Sequence, residues 1–127
     1  MPAQPLAKLL IVDDEIAQMT ALCRTLEEEG HATTGFASAR EALAELRKQQ
    51  FDLVLTDLVM PGIDGSHLIH AIKQLSPQTP AVLISGRVKI YERDTQADVF
   101  LPKGMYEPID LLERIRLLLV RNHRGRR

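Results

Sequence analysis

The sequence is poor in the residues that mark disulfide-rich or membrane-embedded proteins. Its 127 residues include no tryptophan and one cysteine, and aromatic residues make up only 4%. A single cysteine cannot form a disulfide within the chain, which argues against a disulfide-stapled secreted fold. No apolar run approaches the roughly 20 residues that a membrane-spanning helix needs. The segment Met1 to Pro5 lacks the pattern of a secretion signal, so we expect a cytoplasmic protein without membrane contact.

An excess of charge of either sign is also lacking. Sixteen basic and seventeen acidic side chains give a net charge of -1, so the chain as a whole shows no basic surface for nucleic acid. The exception is the basic segment 121–127, which we expect to be a disordered tail. The 45% hydrophobic content of the chain is enough for one core. We therefore predict a single domain over residues 1–120.

Short apolar runs alternate with amphipathic segments along the whole chain. Unbroken apolar runs such as 9–12 are typical of strands that are buried on both faces of a parallel sheet. Strands are predicted at residues 9–12, 31–36, 51–56, 81–84 and 99–101. Helices are predicted at residues 15–29, 38–46, 68–75 and 109–119. This alternation indicates an α/β fold in which a parallel sheet lies between two helical layers.

Polar side chains follow four of the five predicted strands. Asp13 and Asp14 follow the first, Asp57 the third and Ser85 the fourth, while Lys103 comes just after the fifth. Each residue alone is an ordinary turn or cap residue. Together they would lie at the carboxyl edge of a parallel sheet, where such folds bind ligands. The joint pattern therefore predicts a functional site.

The chemistry of these side chains favours phosphoryl transfer. Three carboxylates at one edge would repel one another unless positive charge lay among them. Oxygen ligands without histidine or cysteine nearby favour Mg²⁺, and Lys103 supplies a second cation. Phosphoryl transfer mainly requires positioning and charge neutralisation. We therefore predict an acyl phosphate on Asp57 that is bridged to Mg²⁺ and Lys103 and is hydrogen-bonded by Ser85.

Four segments resemble the receiver domains of bacterial response regulators, and the resemblance runs from about residue 6 to residue 120. The segments are IVDDE at 11–15, DLVMPGIDG at 57–65, SG at 85–86 and FLPK at 100–103. The second segment is highly specific for this family. The resemblance implies a flavodoxin-like fold, with a doubly wound, five-stranded parallel sheet of strand order 2-1-3-4-5 in three α/β/α layers.

The resemblance also implies a role for each site residue. Asp57 would be the phosphorylated aspartate, Asp13 and Asp14 the acidic pair, the Val59 carbonyl the last Mg²⁺ ligand, Lys103 the catalytic lysine, Ser85 the hydroxyl switch residue and Phe100 the aromatic that swings inward. The donor would be a sensor histidine kinase or a histidine phosphotransfer protein. The chain would be a signalling phosphoacceptor that assists its own phosphorylation and dephosphorylation, rather than an enzyme. A downstream protein or homodimer partner would bind the face of the fourth helix, fifth strand and fifth helix.

Two features depart from the family pattern. Gly104 follows Lys103 where the family has a proline in a cis peptide. A cis bond before glycine costs roughly 2.5 to 4 kcal/mol, so we expect a trans bond or another turn. The interval from Ser85 to Lys103 is also short, which predicts a short or irregular fourth helix. A register that places Glu107 at the lysine position is rejected, because it would replace a needed cation with an anion.

Two other functions fit parts of the sequence. A non-phosphorylated receiver-like scaffold that binds a partner constitutively is favoured by Gly104 and by the short fourth helix, and opposed by the intact set of acids. A haloacid-dehalogenase-type phosphatase also uses an aspartate after a strand. That class needs a second acid two residues further on, where this chain has Val59.

Overall fold

The computed structural model describes residues 6–57, 65–85, 98–102 and 108–125. They form a five-stranded parallel sheet of order β2-β1-β3-β4-β5 with helices on both faces. The strands are β1 (Lys8–Val12), β2 (Ala32–Phe36), β3 (Leu53–Asp57), β4 (Ala81–Ser85) and β5 (Val99–Pro102). The helices are α1 (Ile16–Glu28), α2 (Ala39–Leu46), α3 (Gly65–Leu75) and α4 (Pro108–Gly125). The predicted fold class and strand order are confirmed.

The alternation of side chains along β1 explains why the core has two halves. Leu9 and Ile11 belong to one buried cluster, whereas Leu10 and Val12 belong to the other. All four are fully buried, because successive side chains of a strand point to opposite faces of the sheet. Helices α1 and α4 cover the first face, and helices α2 and α3 cover the second. Burial on both faces accounts for the unbroken apolar sequence of this strand.

The last predicted helix is longer than expected. Helix α4 begins at Pro108 and continues to Gly125, so the backbone of residues 121–125 is helical where a disordered tail was predicted. The boundary between domain and tail that was predicted at residue 120 therefore lies within α4 and not at its end. The predicted helix between the fourth and fifth strands falls at residues 86–97, outside the described residues, so α4 corresponds to the fifth helix of the family's count. Within the described residues, no helix is both long and apolar enough to cross a membrane.

A network of hydrogen bonds around Asp98 holds the amino edge of the sheet, where β4 and β5 begin. The backbone N–H of Asp98 donates to the Ala81 carbonyl, and the Ala81 N–H donates to Asp98 Oδ2, each at 2.8 Å. Lys73 at the end of α3 donates to the same Oδ2 and to the Thr79 carbonyl, both at 2.8 Å. One carboxylate thus aligns the starts of β4 and β5 and anchors α3 to them.

Helix α1 ends at a glycine that adopts a left-handed conformation. The Gly30 N–H donates to the Glu27 carbonyl at 3.0 Å, and the His31 N–H donates to the Leu26 carbonyl at 3.2 Å. This pair of bonds is the Schellman motif, which satisfies carbonyls that a helix end leaves without partners. Gly30 has φ of 102°, and a Cβ at this position would lie 3.2 Å from Leu6 Cδ1. The turn from α1 into β2 therefore favours glycine.

We expect Gly30→Ala to lower the free energy of unfolding by about 1 to 2 kcal/mol, because a side chain is disfavoured in the left-handed region. Chemical denaturation of the variant and the wild type measures the difference. Glu28→Ala, an exposed change two residues earlier, is the matched control and should change stability by less than about 0.5 kcal/mol. Equal effects of the two changes would contradict this account of the turn.

His31 follows this turn and is partly buried. Its Nδ1 atom has no hydrogen-bond partner among the described residues. Burial lowers the pKa of His31 below its usual 6.5, and the negative charge of Glu29 opposes this shift only in part. The neutral imidazole is therefore the form that the folded state favours.

We expect this histidine to make the protein less stable in mild acid. Its pKa is lower in the folded than in the unfolded state, so its contribution is present above pH 6.5 and is lost as pH falls below that value. Urea denaturation from about pH 7.5 to about pH 5 should show a steeper fall in stability for the wild type than for His31→Gln. Parallel curves for the two proteins would show that His31 is not responsible.

Candidate functional site

Three aspartates meet at the carboxyl edge of the sheet because of the register between β1 and β3. These strands are parallel neighbours in which Val12 pairs with Thr56. Asp13 and Asp57 each come one residue after this pair, and Asp14 follows Asp13. One carboxylate oxygen from each aspartate lies within 4.8 Å of those of the other two. The sequence-based prediction that these three acids lie together agrees with the structure.

The three aspartates differ in their exposure to solvent. Asp57 is 6% exposed at the end of the central strand. Asp13 is partly buried, and Asp14 is exposed. The cluster is therefore closed on the side of the sheet and open on the side of Asp14.

Local hydrogen bonds hold the backbone on both sides of the cluster. The Asp13 N–H donates to the Phe36 carbonyl at 3.1 Å, which extends the pairing of β1 with β2. Asp13 Oδ1 accepts from the Glu15 N–H at 2.9 Å in the turn that leads into α1. Asp13 thus has the ordinary role of an aspartate after a strand, that of a turn residue, and it also belongs to the cluster. The turn orients one oxygen of Asp13.

Thr56 contributes to the site in a way that the sequence did not indicate. Its side chain is fully buried, and its Oγ1 donates to the backbone carbonyl of Asp57 at 2.9 Å. This bond joins the side chain of one strand residue to the backbone of the next, directly at the site. In the sequence Thr56 is simply a β-branched strand residue, so no pattern pointed to this contact.

The electrostatics of the cluster call for a cation. Two unit charges about 5 Å apart repel by about 1 kcal/mol in water and by about 3 kcal/mol at the effective dielectric of a protein surface. Three carboxylates contain three such pairs. Their oxygens are hard ligands, and the cluster contains no histidine or cysteine. This donor set fits Mg²⁺, which binds one or two carboxylates and keeps several waters.

The other predicted site residues are only partly covered by the described residues. Ser85 ends β4 and pairs in register with Pro102 of β5, so its backbone lies at the same edge as the aspartates. Phe100 lies in β5 and pairs with Leu83. The side chains of Ser85 and Phe100 lie outside the described part of the structure, and so do Val59 and Lys103 entirely. Their roles remain predictions.

Comparisons with known proteins agree with this fold. The family model of the response regulator receiver domain matches residues 9–116. The chain therefore belongs to the response regulator receiver domain family of two-component regulatory systems. Among curated relatives, the transcriptional regulatory protein TcrA of Mycobacterium tuberculosis is 31% identical over 115 residues, which are 87% of this chain and 45% of TcrA. The chain thus spans about half the length of this relative.

Solved structures show the same likeness. A CheY-like receiver domain protein from Methanospirillum hungatei has a TM-score of 0.88 and 29% identity, with 94% of this chain and 98% of that chain covered. The response regulator TrrA of Thermotoga maritima, solved in complex with Mg²⁺-BeF, has a TM-score of 0.81 and 28% identity over 89% of this chain and 99% of that chain.

We expect the difference in stability between Asp14→Asn and the wild type to depend on Mg²⁺. Without the ion, Asp14→Asn should raise the melting temperature, because it removes one of three mutually repelling charges. With millimolar Mg²⁺ the wild type should gain stability by ligand linkage, and the variant should gain less because it has lost a ligand. Thermal unfolding followed by circular dichroism, with and without Mg²⁺, measures both changes.

The exposed Glu28 of α1 provides the matched control. Glu28→Gln removes the same charge about 18 Å along the helix from its start at the cluster. It should leave the effect of Mg²⁺ unchanged. An equal stabilisation of Asp14→Asn and wild type by Mg²⁺ would contradict a metal site formed by these three aspartates.

Proposed function

We propose that this receiver domain accepts a phosphoryl group on Asp57 from a phosphohistidine of a sensor histidine kinase or a histidine phosphotransfer protein. The observation that carries the proposal is the place of Asp57. It is a nearly buried carboxylate at the end of the central strand, with the carboxylates of Asp13 and Asp14 within 4.8 Å. A structural aspartate would gain nothing from two like charges at this distance. A phosphoacceptor needs them to hold a cation beside the transferred group.

The proposed reaction is an in-line displacement at phosphorus. A carboxylate oxygen of Asp57 forms the new P–O bond, and the P–N bond to the donor imidazole breaks. The imidazole nitrogen keeps the electron pair and takes up a proton, and the product is an acyl phosphate on Asp57. In phosphoryl transfer the protein mainly positions the groups and neutralises charge. The fixed end of β3 provides the positioning here.

The metal ligands in this proposal are Asp13, Asp14 and Asp57, together with the Val59 carbonyl that the family resemblance implies. Mg²⁺, when bound, supplies positive charge to the equatorial oxygens of the phosphoryl group. By the same resemblance, Lys103 pairs with a phosphoryl oxygen, Ser85 hydrogen-bonds another, and Phe100 turns inward on phosphorylation.

The consequence of phosphorylation would be a change in protein contacts. TcrA, which is similar to this chain, is named as a transcriptional regulatory protein. We propose that this chain acts on a downstream protein or a homodimer partner through the face formed by the family's fourth helix, β5 and α4. A cytoplasmic location, where the histidine donors would meet it, belongs to the same proposal.

The proposal is tested by incubating the protein with Mg²⁺ and acetyl phosphate and measuring its mass. We expect an adduct of about 80 Da in the wild type and none in Asp57→Asn. Asp52→Asn is the matched control at the other end of β3, since its side chain accepts from the Lys8 N–H at 2.8 Å and asparagine retains an acceptor there. This control should be phosphorylated like the wild type.

Backbone NMR with beryllofluoride, a mimic of the acyl phosphate, distinguishes a working switch from a scaffold. Shifts that extend from Asp57 to β5 would support signalling. If the wild type gains no adduct and shows no Mg²⁺-dependent shift, phosphorylation is excluded and the constitutive scaffold becomes the better account.

A further inference from the structure

A buried hydroxyl lies directly beside the phosphoacceptor in the chain. Within the described ranges, the polar side chains buried in the core belong to Thr56, Asp57 and Thr79, and that of Thr56 is fully enclosed. Burying a hydroxyl is unfavourable unless it forms a hydrogen bond. The Thr56 hydroxyl donates to the backbone carbonyl of Asp57 at 2.9 Å. Two of these three buried polar residues are thus joined to each other at the end of β3.

The backbone of Thr56 is held by strands on both sides. Thr56 pairs with Val12 of β1 and with Leu83 of β4. It is the last residue of β3 in the pairing with β1, and Asp57 after it pairs with Ile84 of β4. A hydroxyl on a residue held in this way has a fixed position. Its hydrogen bond therefore acts on the Asp57 carbonyl from a rigid support.

The packing of β3 does not require a hydroxyl at this position. The three preceding residues, Leu53, Val54 and Leu55, are buried and apolar, and Val54 points to the same face as Thr56 because side chains alternate along a strand. Valine has nearly the shape of threonine, is also favoured in strands and would bury no polar group. The hydroxyl is therefore explained by its hydrogen bond to Asp57 rather than by the core.

We propose that Thr56 is a positioning residue for the phosphoacceptor. Its hydroxyl orients the Asp57 carbonyl and, because the peptide group is planar, the whole peptide group between residues 57 and 58. The Asp57 carboxylate extends from the same backbone, so its oxygens are held near those of Asp13 and Asp14 for Mg²⁺ and for attack on phosphorus. This role rests on the proposed function, and Thr56 acts through Asp57 rather than on the reacting atoms.

Two substitutions of Thr56 separate positioning from stability. Thr56→Val fills the space but removes the donor. Thr56→Ser keeps the donor but loses a buried methyl group, which lowers stability. Positioning predicts that only Thr56→Val is impaired, whereas a role in stability alone predicts that both variants function once they are folded. Thr79→Val is the matched control, because it removes a buried hydroxyl that lies 2.7 Å from the Ser76 hydroxyl at the amino edge of the sheet.

The affinity for Mg²⁺, measured by NMR titration of the full chain, is a readout that does not require phosphorylation. We expect Thr56→Val to raise the dissociation constant of Mg²⁺ by about threefold to tenfold, as the loss of one hydrogen bond would. Its rate of phosphorylation by acetyl phosphate, followed by mass, should fall by about tenfold. Thr56→Ser and Thr79→Val should stay within about twofold of the wild type in both measurements. Circular dichroism identifies a temperature at which all four proteins are folded.

Each outcome decides between positioning and the alternatives. Equal dissociation constants and rates for Thr56→Val and the wild type overturn the inference. Thr56→Ser or Thr79→Val with the same impairment as Thr56→Val also overturns it, because the effect would then come from stability. A wild type that binds Mg²⁺ but gains no adduct overturns the proposed function instead, and the comparison of Mg²⁺ affinities then decides the role of Thr56. A wild type that does not bind Mg²⁺ overturns both.

Discussion

The parallel register of β1 against β3 is the constraint on which the site depends. Val12 pairs with Thr56, so the two strands end level with each other and the aspartates that follow them meet. A slip of one residue would send every side chain of β3 to the opposite face of the sheet. Leu53 and Leu55 would then leave one core cluster for the other. Core packing on both faces therefore fixes the register, and the register brings Asp13 and Asp57 together.

Acidic side chains are arranged differently at the two edges of the sheet. At the amino edge, Asp52 accepts the Lys8 N–H and Asp98 accepts the Ala81 N–H and the Lys73 ammonium. Each of these carboxylates accepts hydrogen bonds that fasten the start of a strand, and Asp98 also anchors α3. At the carboxyl edge three carboxylates crowd within 4.8 Å. Such crowding opposes folding, and the apolar core and the fastened amino edge offset it. An arrangement that costs stability at one edge is the pattern expected of a functional site.

Patterns along the chain predicted the features that depend on local sequence. The apolar runs indicated the strands, and the helix predicted from residue 38 does begin there, where Ser38 Oγ accepts from the Glu41 N–H at 3.2 Å. The acids after β1 and β3 indicated the cluster, because parallel strands share an edge. The extension of α4 to Gly125 was missed, since basic residues are compatible with either a helix or a tail. The contact from Thr56 to Asp57 was missed because a buried threonine has no periodic signature.

Helix α4 has more apolar surface than attachment to the sheet requires. Leu111, Ile115 and Leu118 are buried in the core cluster shared with α1, and this stripe is sufficient to attach an amphipathic helix. Ile109, Leu117 and Val120 form a second, exposed stripe. Grouped exposed apolar side chains are typical of an interaction site, whereas scattered ones are not. The first stripe belongs to the folding of the domain, whereas the second takes no part in the buried core. Neither stripe includes the aspartate cluster, so the attachment of α4 and the proposed phosphoacceptor site depend on different residues.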